Sequence, residues 1–343
     1  MPEDARAALL TRADALRRDG ALVELVDVLT SANRIHPTPE IERELVDVRH
    51  RAAAATVAPT APDHQPLRLV PSGPDGSLPR VERAAMTVDA VRAGLSRAGC
   101  VLIPGLIPPG RVDALVAGID RAFAAFDDAQ DGPDAVGGDD DVWYSPFTPQ
   151  DGDYRVGGRR NWMRASGGMW AADSPRMLFD LIDVLHDVGL GQLVTDYLGE
   201  RPALSANKCN LRRVPVDSDG AWHQDGAFLG EQVPSLNVWI ALSDCGRIAP
   251  TMDVVPRRFD HVLPTGTDGI PFDWAVAPEV VAREAGDVGV IRPEFAAGDV
   301  LLFDHLFLHR TASDPTMTAE RHALETWFFA PSAYPGGQIP LLF

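Results

Sequence analysis

The stretch GDVLLFDHLFLHRT, residues 298–311, decides the fold of this chain. Gly298 and Asp299 form a typical turn pair, and the apolar run after them predicts a buried strand that ends in a histidine, His309. Five other stretches are also strand-like, namely residues 203–216, 235–245, 251–256, 286–293 and 323–331. Several short strands joined by turn-rich loops predict a β-sandwich or barrel, with the earlier helices packed outside it.

A second motif, WHQDG at residues 222–226, lies well before this strand. On an extended backbone, residues two apart point to the same face, so His223 and Asp225 are predicted to face one ion. An imidazole and a carboxylate suit Fe(II), and a third ligand from elsewhere would complete a facial triad. A capping Asp beside a hydrogen-bonded His is the competing explanation, because such triplets also arise by chance.

The histidine that ends the decisive strand supplies the third ligand in this scheme. His309 follows His223 by 86 residues, but His305 lies four residues earlier on the same predicted strand face and competes with it. Arg321 lies twelve residues beyond His309, where its guanidinium would hold the distal carboxylate of a 2-oxoglutarate cosubstrate in a bidentate pair. Thr311 would add a hydroxyl hydrogen bond to the same carboxylate.

Taken together, these motifs resemble the phytanoyl-CoA dioxygenase family, which also includes the ectoine hydroxylases. The segment GCVLIPGLIPPGRVDALVAGID, residues 99–120, is similar to that family's N-terminal strand and helix, and the resemblance covers residues 84–332. It implies a mainly β fold with flanking helices, built on a double-stranded β-helix (jelly-roll, cupin-like) core. It also implies Fe(II), 2-oxoglutarate and O2, and it favours His309 over His305 as the ligand because of the Arg-Thr pair that follows His309.

The resemblance extends to the rest of the cosubstrate pocket. Asn210 lies on the strand before His223, where ectoine hydroxylases place a cosubstrate-binding asparagine, although a strand amide satisfied by neighbouring backbone fits equally well. Trp239 is expected to wall the same pocket, with a purely structural core aromatic as the alternative. The chain departs from the family pattern at residues 249–259, near the active-site rim, and this departure concerns the substrate more than the chemistry.

Four arginines are candidates for binding the substrate. Arg257 and Arg258 lie in the divergent rim segment, and Arg160 and Arg164 lie in the arginine- and tryptophan-rich segment 154–170. Guanidinium groups bind anionic groups well, so these side chains would steer or clamp an anionic substrate. The alternative is that they only solvate the surface of an acidic chain.

The reaction that the resemblance implies is hydroxylation of an unactivated C–H bond in a small molecule or peptide, with succinate and CO2 as co-products. The presence of Asp225 favours hydroxylation over halogenation, since iron halogenases of this fold have alanine or glycine at that position. Desaturation, epoxidation and cyclisation remain open. An amino-acid-like or peptidic intermediate of specialised metabolism, free or carrier-bound, is the expected substrate. Two rival interpretations are a non-catalytic β-helix binding module and a cupin-type metal enzyme that does not use 2-oxoglutarate.

Composition excludes several other classes of protein. The 343 residues carry a formal net charge of -18, and an acidic surface repels phosphate backbones, so nucleic acid is not an expected partner. No apolar run approaches the roughly 20 residues of a membrane span. The N-terminal stretch has no apolar signal core, which predicts a cytoplasmic protein. The three cysteines, Cys100, Cys209 and Cys245, are far apart and are expected to be buried and structural.

The chain divides into three predicted parts. They are an N-terminal helical extension at residues 1–55, a linker rich in proline and glycine at residues 56–83, and an oxygenase domain at residues 84–343. The extension is amphipathic, which suggests that it dimerises the enzyme or docks a carrier protein or peptide substrate. The simpler alternative is a helical cover on the barrel. A monomer and a homodimer are therefore both compatible with the sequence.

Overall fold

The computed structural model of the protein describes residues 2–58, 75–129, 142–149, 160–267, 270 and 272–343. Most of the predicted linker, at residues 59–74, lies outside these described residues, so the division of the chain into three parts stays a prediction. Ten α-helices and nine β-strands occur within the described ranges.

Three helices begin the chain: α1 (Pro2–Asp19), α2 (Leu22–Ile35) and α3 (Pro39–Ala54). Their apolar faces form a small core of their own, which also receives Phe179 and Leu342 from the main body. Arg49, buried in α3, donates a hydrogen bond to the carbonyl oxygen of Leu342 at 2.7 Å. The N-terminal extension is therefore docked against the body of the protein.

The main body opens with a helix, a strand and a second helix. Thr87 caps α4 (Val88–Ala98) by accepting a backbone N–H hydrogen bond, and Gly99 ends it in the left-handed conformation, with a φ of 75°. Strand β1 (Cys100–Ile103) follows directly, and then α5 (Pro109–Asp128), which confirms the predicted strand and helix. The remaining helices are α6 (Asn161–Ala165), α7 (Pro175–Asp187), α8 (Leu190–Leu198), α9 (Gly226–Leu229) and α10 (Pro278–Ala285).

The strands form two antiparallel sheets. The large sheet has seven strands: β1, β2 (Gly168–Trp170), β3 (Ala203–Val214), β4 (Ser235–Ala241), β6 (Val300–Phe303), β8 (Arg321–Phe329) and β9 (Pro340–Leu342). They are arranged in the order β1-β6-β4-β8-β3-β2, and β9 also pairs with β3. The small sheet pairs β5 (Thr251–Val254) with β7 (His309–Ala312).

Strand β8 shows how the two faces of the large sheet differ. Ala323 and Trp327 belong to an inner core that the small sheet also lines, whereas Leu324 and Phe328 belong to the core beneath the helices. Because side chains alternate along a strand, Arg321 faces the inner core as well. The inner core between the two sheets is therefore the place where polar side chains of β8 can meet residues of β7.

The predicted strand that ends in His309 is interrupted. Strand β6 ends at Phe303, and β7 begins only at His309. The break occurs at Asp304, whose side-chain carboxylate accepts a hydrogen bond from the Leu306 N–H at 3.0 Å. Such a local side-chain bond stabilises a turn and competes with strand pairing. His305 lies in that turn, so the expectation that it shares a strand face with His309 is wrong.

The prediction of a strand at residues 286–293 is also wrong. Gly286 and Gly289 have φ values of 53° and 70°, which an extended strand cannot accommodate. Within this segment Ile291 alone pairs with a strand, in an isolated bridge to Val254. The segment instead forms a short 3-10 helix, Gly286–Val288, and then runs as a loop beside Val254 of β5.

An antiparallel core with flanking helices and an N-terminal helical extension confirms the predicted double-stranded β-helix fold. The three cysteines are buried and form no disulfide, as expected. No helix in the described part of the chain is long and apolar enough to cross a membrane.

Candidate metal centre

The structure brings the three candidate ligand side chains together. One ligand atom each from His223, Asp225 and His309 lies within 4.8 Å of the other two. The two imidazole centroids are 4.4 Å apart, and Nε2 of His309 is 3.8 Å from a carboxylate oxygen of Asp225. Asp225 and His309 are buried whereas His223 is half-buried, so the group is accessible from the His223 side.

Backbone pairing fixes the separation of the two histidines. The His223 N–H donates to the carbonyl oxygen of His309 at 3.0 Å, and the His309 N–H donates to that of His223 at 3.1 Å. Asp225 does not continue this extended segment, because its φ of -61° and ψ of -22° are helical and it directly precedes α9. The expectation that an extended backbone aligns His223 with Asp225 is therefore wrong. A turn into a helix brings the two side chains together instead.

Gln224 braces the backbone between the two ligands of the WHQDG motif. Its side-chain amide donates to the Leu306 carbonyl oxygen at 2.7 Å and accepts from the Leu263 N–H at 2.7 Å. The Gly226 N–H donates to the carbonyl oxygen of His305 at 2.7 Å. These contacts tie the motif to the turn between β6 and β7, and they hold the ligands from the two segments in register.

The hydrogen bonds of the two imidazoles define which ring nitrogen faces the group. Nδ1 of His223 lies 2.9 Å from the Ala221 carbonyl oxygen, and Nδ1 of His309 lies 3.0 Å from that of Phe307. A carbonyl oxygen only accepts, so each Nδ1 carries the proton and each Nε2 keeps its lone pair. Burial, and then the neighbouring His223, lower the pKa of His309 to about 3. Its imidazole is therefore neutral at neutral pH, which is the form that binds a metal.

His305, the rival third ligand, has both ring nitrogens engaged elsewhere. Nδ1 lies 2.9 Å from the Ser235 hydroxyl, and Nε2 lies 2.9 Å from the Glu231 carbonyl oxygen. A ring with both nitrogens in hydrogen bonds has no free lone pair for a metal. The geometry therefore favours His309 over His305.

Arg321, the predicted cosubstrate arginine, begins β8 and is 2% exposed. Its guanidinium lies 5.7 Å from the ring centre of Trp239, and Nη1 donates to the Thr251 carbonyl oxygen at 2.9 Å. Within the described residues its Nε has no hydrogen-bond partner and no carboxylate forms an ion pair with it. Burial lowers the pKa of Arg321 to about 10, so the group stays charged at neutral pH. A buried, unpaired guanidinium is suited to an anionic guest.

The other predicted cosubstrate residues line the same interior. Asn210 is buried, its Nδ2 lies 3.4 Å from a Glu325 carboxylate oxygen, and its Oδ1 has no partner among the described residues, so neighbouring backbone does not satisfy this amide. Trp239 belongs to the inner core and also flanks the arginine, so its core role is observed and its role in a cosubstrate pocket stays a prediction. Thr311 follows His309 by two positions in β7, so both side chains leave the same face of that strand.

The four arginines predicted to bind substrate are each engaged with protein groups. Arg160 is buried and pairs with Asp173 at 3.0 Å, and Arg258 forms a similarly buried ion pair with Asp304. To bind an anionic substrate, Arg160 or Arg258 would have to break its buried ion pair. Their role in substrate binding therefore stays a prediction, and these contacts do not favour it. The other two contacts are Arg164 with Asp127 at 2.6 Å and Arg257 with the Glu284 carbonyl oxygen at 2.6 Å.

Four residues beside the metal group were not predicted from the sequence. The rings of Phe228 and Trp274 lie 6.3 Å and 5.5 Å from that of His223. Lys208 lies over the Phe228 ring, and Glu325 contacts Asn210 from the inner face of β8. For Lys208 the sequence contained a usable signal, because this residue is the single lysine of the chain. The aromatic pair carried no such signal, since Phe228 comes from α9 and Trp274 from a separate turn.

Comparisons with known proteins show the family of the chain and agree with its fold. The family model for phytanoyl-CoA dioxygenase (PhyH) matches residues 95–323. The solved structure of EctD from S. alaskensis with 2-oxoglutarate and 5-hydroxyectoine is similar, with 16% identity, 78% of this chain and 83% of that chain covered, and a TM-score of 0.50. This likeness concerns the fold.

Two further solved structures are similar with lower TM-scores. AviO1 from Streptomyces viridochromogenes Tue57 has 20% identity, covers 72% of this chain and 96% of its own, and gives a TM-score of 0.45. The epimerase SnoN in complex with Fe3+, alpha ketoglutarate and nogalamycin RO has 17% identity and a TM-score of 0.45. The match covers 73% of this chain and 86% of the SnoN chain. No curated protein sequence matches the chain.

Proposed function

Because the chain belongs to the phytanoyl-CoA dioxygenase family of Fe(II)- and 2-oxoglutarate-dependent oxygenases, we propose that it hydroxylates an unactivated C–H bond of a small molecule or peptide. Succinate and CO2 are the co-products of that reaction. The observation that carries the proposal is the convergence of His223, Asp225 and His309 in the same interior as the unpaired guanidinium of Arg321.

The residues present fit the metal and the cosubstrate. Two imidazoles and one carboxylate are the donor set typical of non-haem Fe(II) oxygenases, and they would leave positions open for other ligands. The buried, unpartnered N–H donor at Arg321 Nε requires an acceptor, which the carboxylate of an α-keto dicarboxylate supplies. When bound there, Fe(II) with 2-oxoglutarate and O2 supplies the oxidising power that breaks a C–H bond.

The protein's own residues have two tasks in this scheme. His223, Asp225 and His309 would hold the metal, while the carbonyl contacts at each Nδ1 keep the imidazoles oriented. Arg321 would bind the distal carboxylate of 2-oxoglutarate through charge-assisted hydrogen bonds, and the Thr311 hydroxyl would donate to the same carboxylate.

The carboxylate of Asp225 supports oxygen transfer rather than halide transfer. It is buried, and it lies 3.8 Å from His309 Nε2, where it would occupy a position on the metal. Iron halogenases of this fold lack a carboxylate at that position, so that a halide can bind instead. We therefore expect a hydroxylated product and no halogenated one.

Succinate release from 2-oxoglutarate tests the cosubstrate assignment. We expect the purified, Fe(II)-loaded full chain to form succinate in air, because Arg321 provides a binding site for the distal carboxylate. Arg321→Ala should reduce succinate formation about 100-fold, since a bidentate charged contact of ~2.7 kcal/mol is lost. The measurement is succinate by mass spectrometry during a screen of small molecules and peptides, with incorporation of isotopically heavy oxygen into the product.

Arg213→Ala is the matched control for this experiment. Arg213 lies on the large sheet and pairs with Glu320, but it is 39% exposed and its loss should leave succinate formation unchanged. Equal succinate formation by Arg321→Ala and the unaltered chain would contradict the assignment. Metal-dependent turnover without succinate would support a cupin-type enzyme that does not use 2-oxoglutarate.

A further inference from the structure

Lys208 is the single lysine of the sequence, in which Lys and Arg together number 31. It lies in β3, two positions before Asn210, in the stretch where the pairing of β3 with β8 shifts register. This lysine is half-buried, and a contact through Phe228 places it beside the candidate metal centre.

The position of the Lys208 ammonium is fixed by an aromatic contact. Its Nζ lies 3.8 Å from the ring centre of Phe228, within the range of a cation–π interaction. The Phe228 ring is in turn 6.3 Å from that of His223. The ammonium is therefore held near His223, the half-buried member of the metal group.

An aromatic surface adjoins this charge. Trp274 contacts His223 at 5.5 Å and Phe228 at 6.4 Å between ring centres, and Phe272 stacks on Trp274 at 4.9 Å. Phe228 and Phe272 are 37% and 48% exposed, which is unusual for such large apolar side chains. The three rings present apolar surface to solvent next to the metal group, and such a surface suits the apolar part of a ligand.

The charges around Lys208 leave its ammonium available for a ligand. No carboxylate in the described ranges forms an ion pair with it. Glu325 faces the same interior, but its carboxylate accepts the hydrogen bond of the Asn210 amide. Arg212, two positions beyond Asn210, adds a second positive charge along the same face of β3, and it likewise has no ion-pair partner among the described residues.

We propose that the substrate of the metal centre carries an anionic group, a carboxylate or a phosphate, that pairs with Lys208. An apolar or aromatic part of the same molecule packs on Phe228, Trp274 and Phe272. A compact ammonium can pair with such a group without the fixed planar geometry that a guanidinium demands. This assignment rests on the proposed function, because it places the substrate beside His223.

The single lysine makes a direct test available. The full chain, produced with lysine labelled with ¹³C at Cε, gives one side-chain resonance, which belongs to Lys208. The protein is loaded with Zn(II) and 2-oxoglutarate, so that the site is filled and no reaction occurs. The probes are 4-phenylbutyrate, phenyl phosphate and the neutral 4-phenylbutanamide, each added by titration.

We expect at least one of the two anions to shift the Lys208 resonance saturably, and to bind about tenfold more tightly than the amide. The relative affinities of 4-phenylbutyrate and phenyl phosphate distinguish a carboxylate from a phosphate. If neither anion shifts the resonance, or if the amide binds as tightly as the better anion, the assignment is overturned.

Substitutions extend the test with tryptophan fluorescence as the readout. Lys208→Met should weaken binding of the preferred anion about tenfold and leave amide binding unchanged, whereas Lys208→Arg should retain most of the preference. Arg283→Met is the control, because Arg283 is 62% exposed and pairs with its neighbour Glu284. An unchanged anion preference in Lys208→Met, with an unchanged unfolding midpoint, would contradict the role of Lys208.

The two proposals can fail separately. If the unaltered protein does not bind Fe(II) and 2-oxoglutarate together, the proposed function fails. If it binds both but shows no preference for anionic probes, only the assignment of Lys208 fails.

Discussion

At the scale of single residues, Arg160 and Arg321 are both buried arginines with different surroundings. Arg160 pairs with Asp173 at 3.0 Å, and its guanidinium lies 4.0 Å from the ring centre of Trp170. Arg321 has no acidic partner within the described residues. Removing one partner of a buried ion pair leaves an uncompensated buried charge, whereas a buried guanidinium without a carboxylate partner would gain a counter-charge from an anionic ligand. The sequence assigns Arg321 to the cosubstrate and Arg160 to the substrate, but it could not show which of the two is paired with a carboxylate.

This difference predicts that substitution of Arg160 lowers the stability of the fold, whereas substitution of Arg321 weakens binding of 2-oxoglutarate. Arg160→Met should lower the free energy of unfolding by about 3 kcal/mol, because it leaves the Asp173 carboxylate buried without its partner. Both side chains of that pair are nearly inaccessible, at 3% and 2% exposed. The measurement is urea unfolding followed by circular dichroism.

Arg164→Met is the matched control for Arg160→Met. Its pair with Asp127 is 29% and 53% exposed, so the change in unfolding free energy should stay below about 1 kcal/mol. An unchanged stability of Arg160→Met, together with weakened binding of an anionic substrate, would instead support the role in substrate binding that the sequence predicted.

At the scale of elements, the sequence predicts where strands lie better than where they end. The apolar run at residues 299–311 predicts one strand, but Asp304 interrupts it with a turn. Hydrophobicity cannot reveal such a break, because the residues in the turn are as buried as those in the strands. The turn matters for the site, since it separates His305 from His309 and lets the backbone of His309 pair with that of His223.

The turn predicts a specific effect of Asp304 on metal binding. Asp304→Ala removes the acceptor of the Leu306 N–H and the partner of Arg258, whereas Asp304→Asn removes only the charge. Both substitutions should lower the free energy of unfolding, but only the alanine variant should weaken Fe(II) binding. The expected loss of affinity is about tenfold, the lower end of the range for residues that support metal ligands. Anaerobic Fe(II) titration measures this, and equal Fe(II) affinity in the two variants would argue against the turn as the element that positions His309.

At the scale of the whole molecule, sequence motifs identify the fold and predict the candidate metal ligands, but they do not reveal the surroundings of the metal group. The spacing of His223, Asp225, His309 and Arg321 was readable because the family motif contains it. The contact of Lys208 with Phe228 depends on how β3 meets α9, and no local pattern encodes it. Contacts between segments far apart in the chain follow from topology, so the structure was needed to find them.

The N-terminal helices also belong to this scale. Their apolar faces share a core with Phe179 and Leu342, and Arg34 pairs with Asp183 of α7 at 2.6 Å. These contacts support the interpretation of a helical cover docked on the body. Dimerisation and docking of a carrier protein stay predictions, because nothing in these contacts tests them.

The most direct test of the central claim is anaerobic addition of Fe(II) and 2-oxoglutarate to the purified full chain. We expect the weak visible metal-to-ligand band that 2-oxoglutarate gives when it chelates protein-bound Fe(II). Arg321→Ala should require about 100-fold more 2-oxoglutarate for the same band. The band should persist in Arg213→Ala, whose side chain is 39% exposed. Absence of the band in the unaltered chain, at saturating Fe(II) and 2-oxoglutarate, would contradict the account.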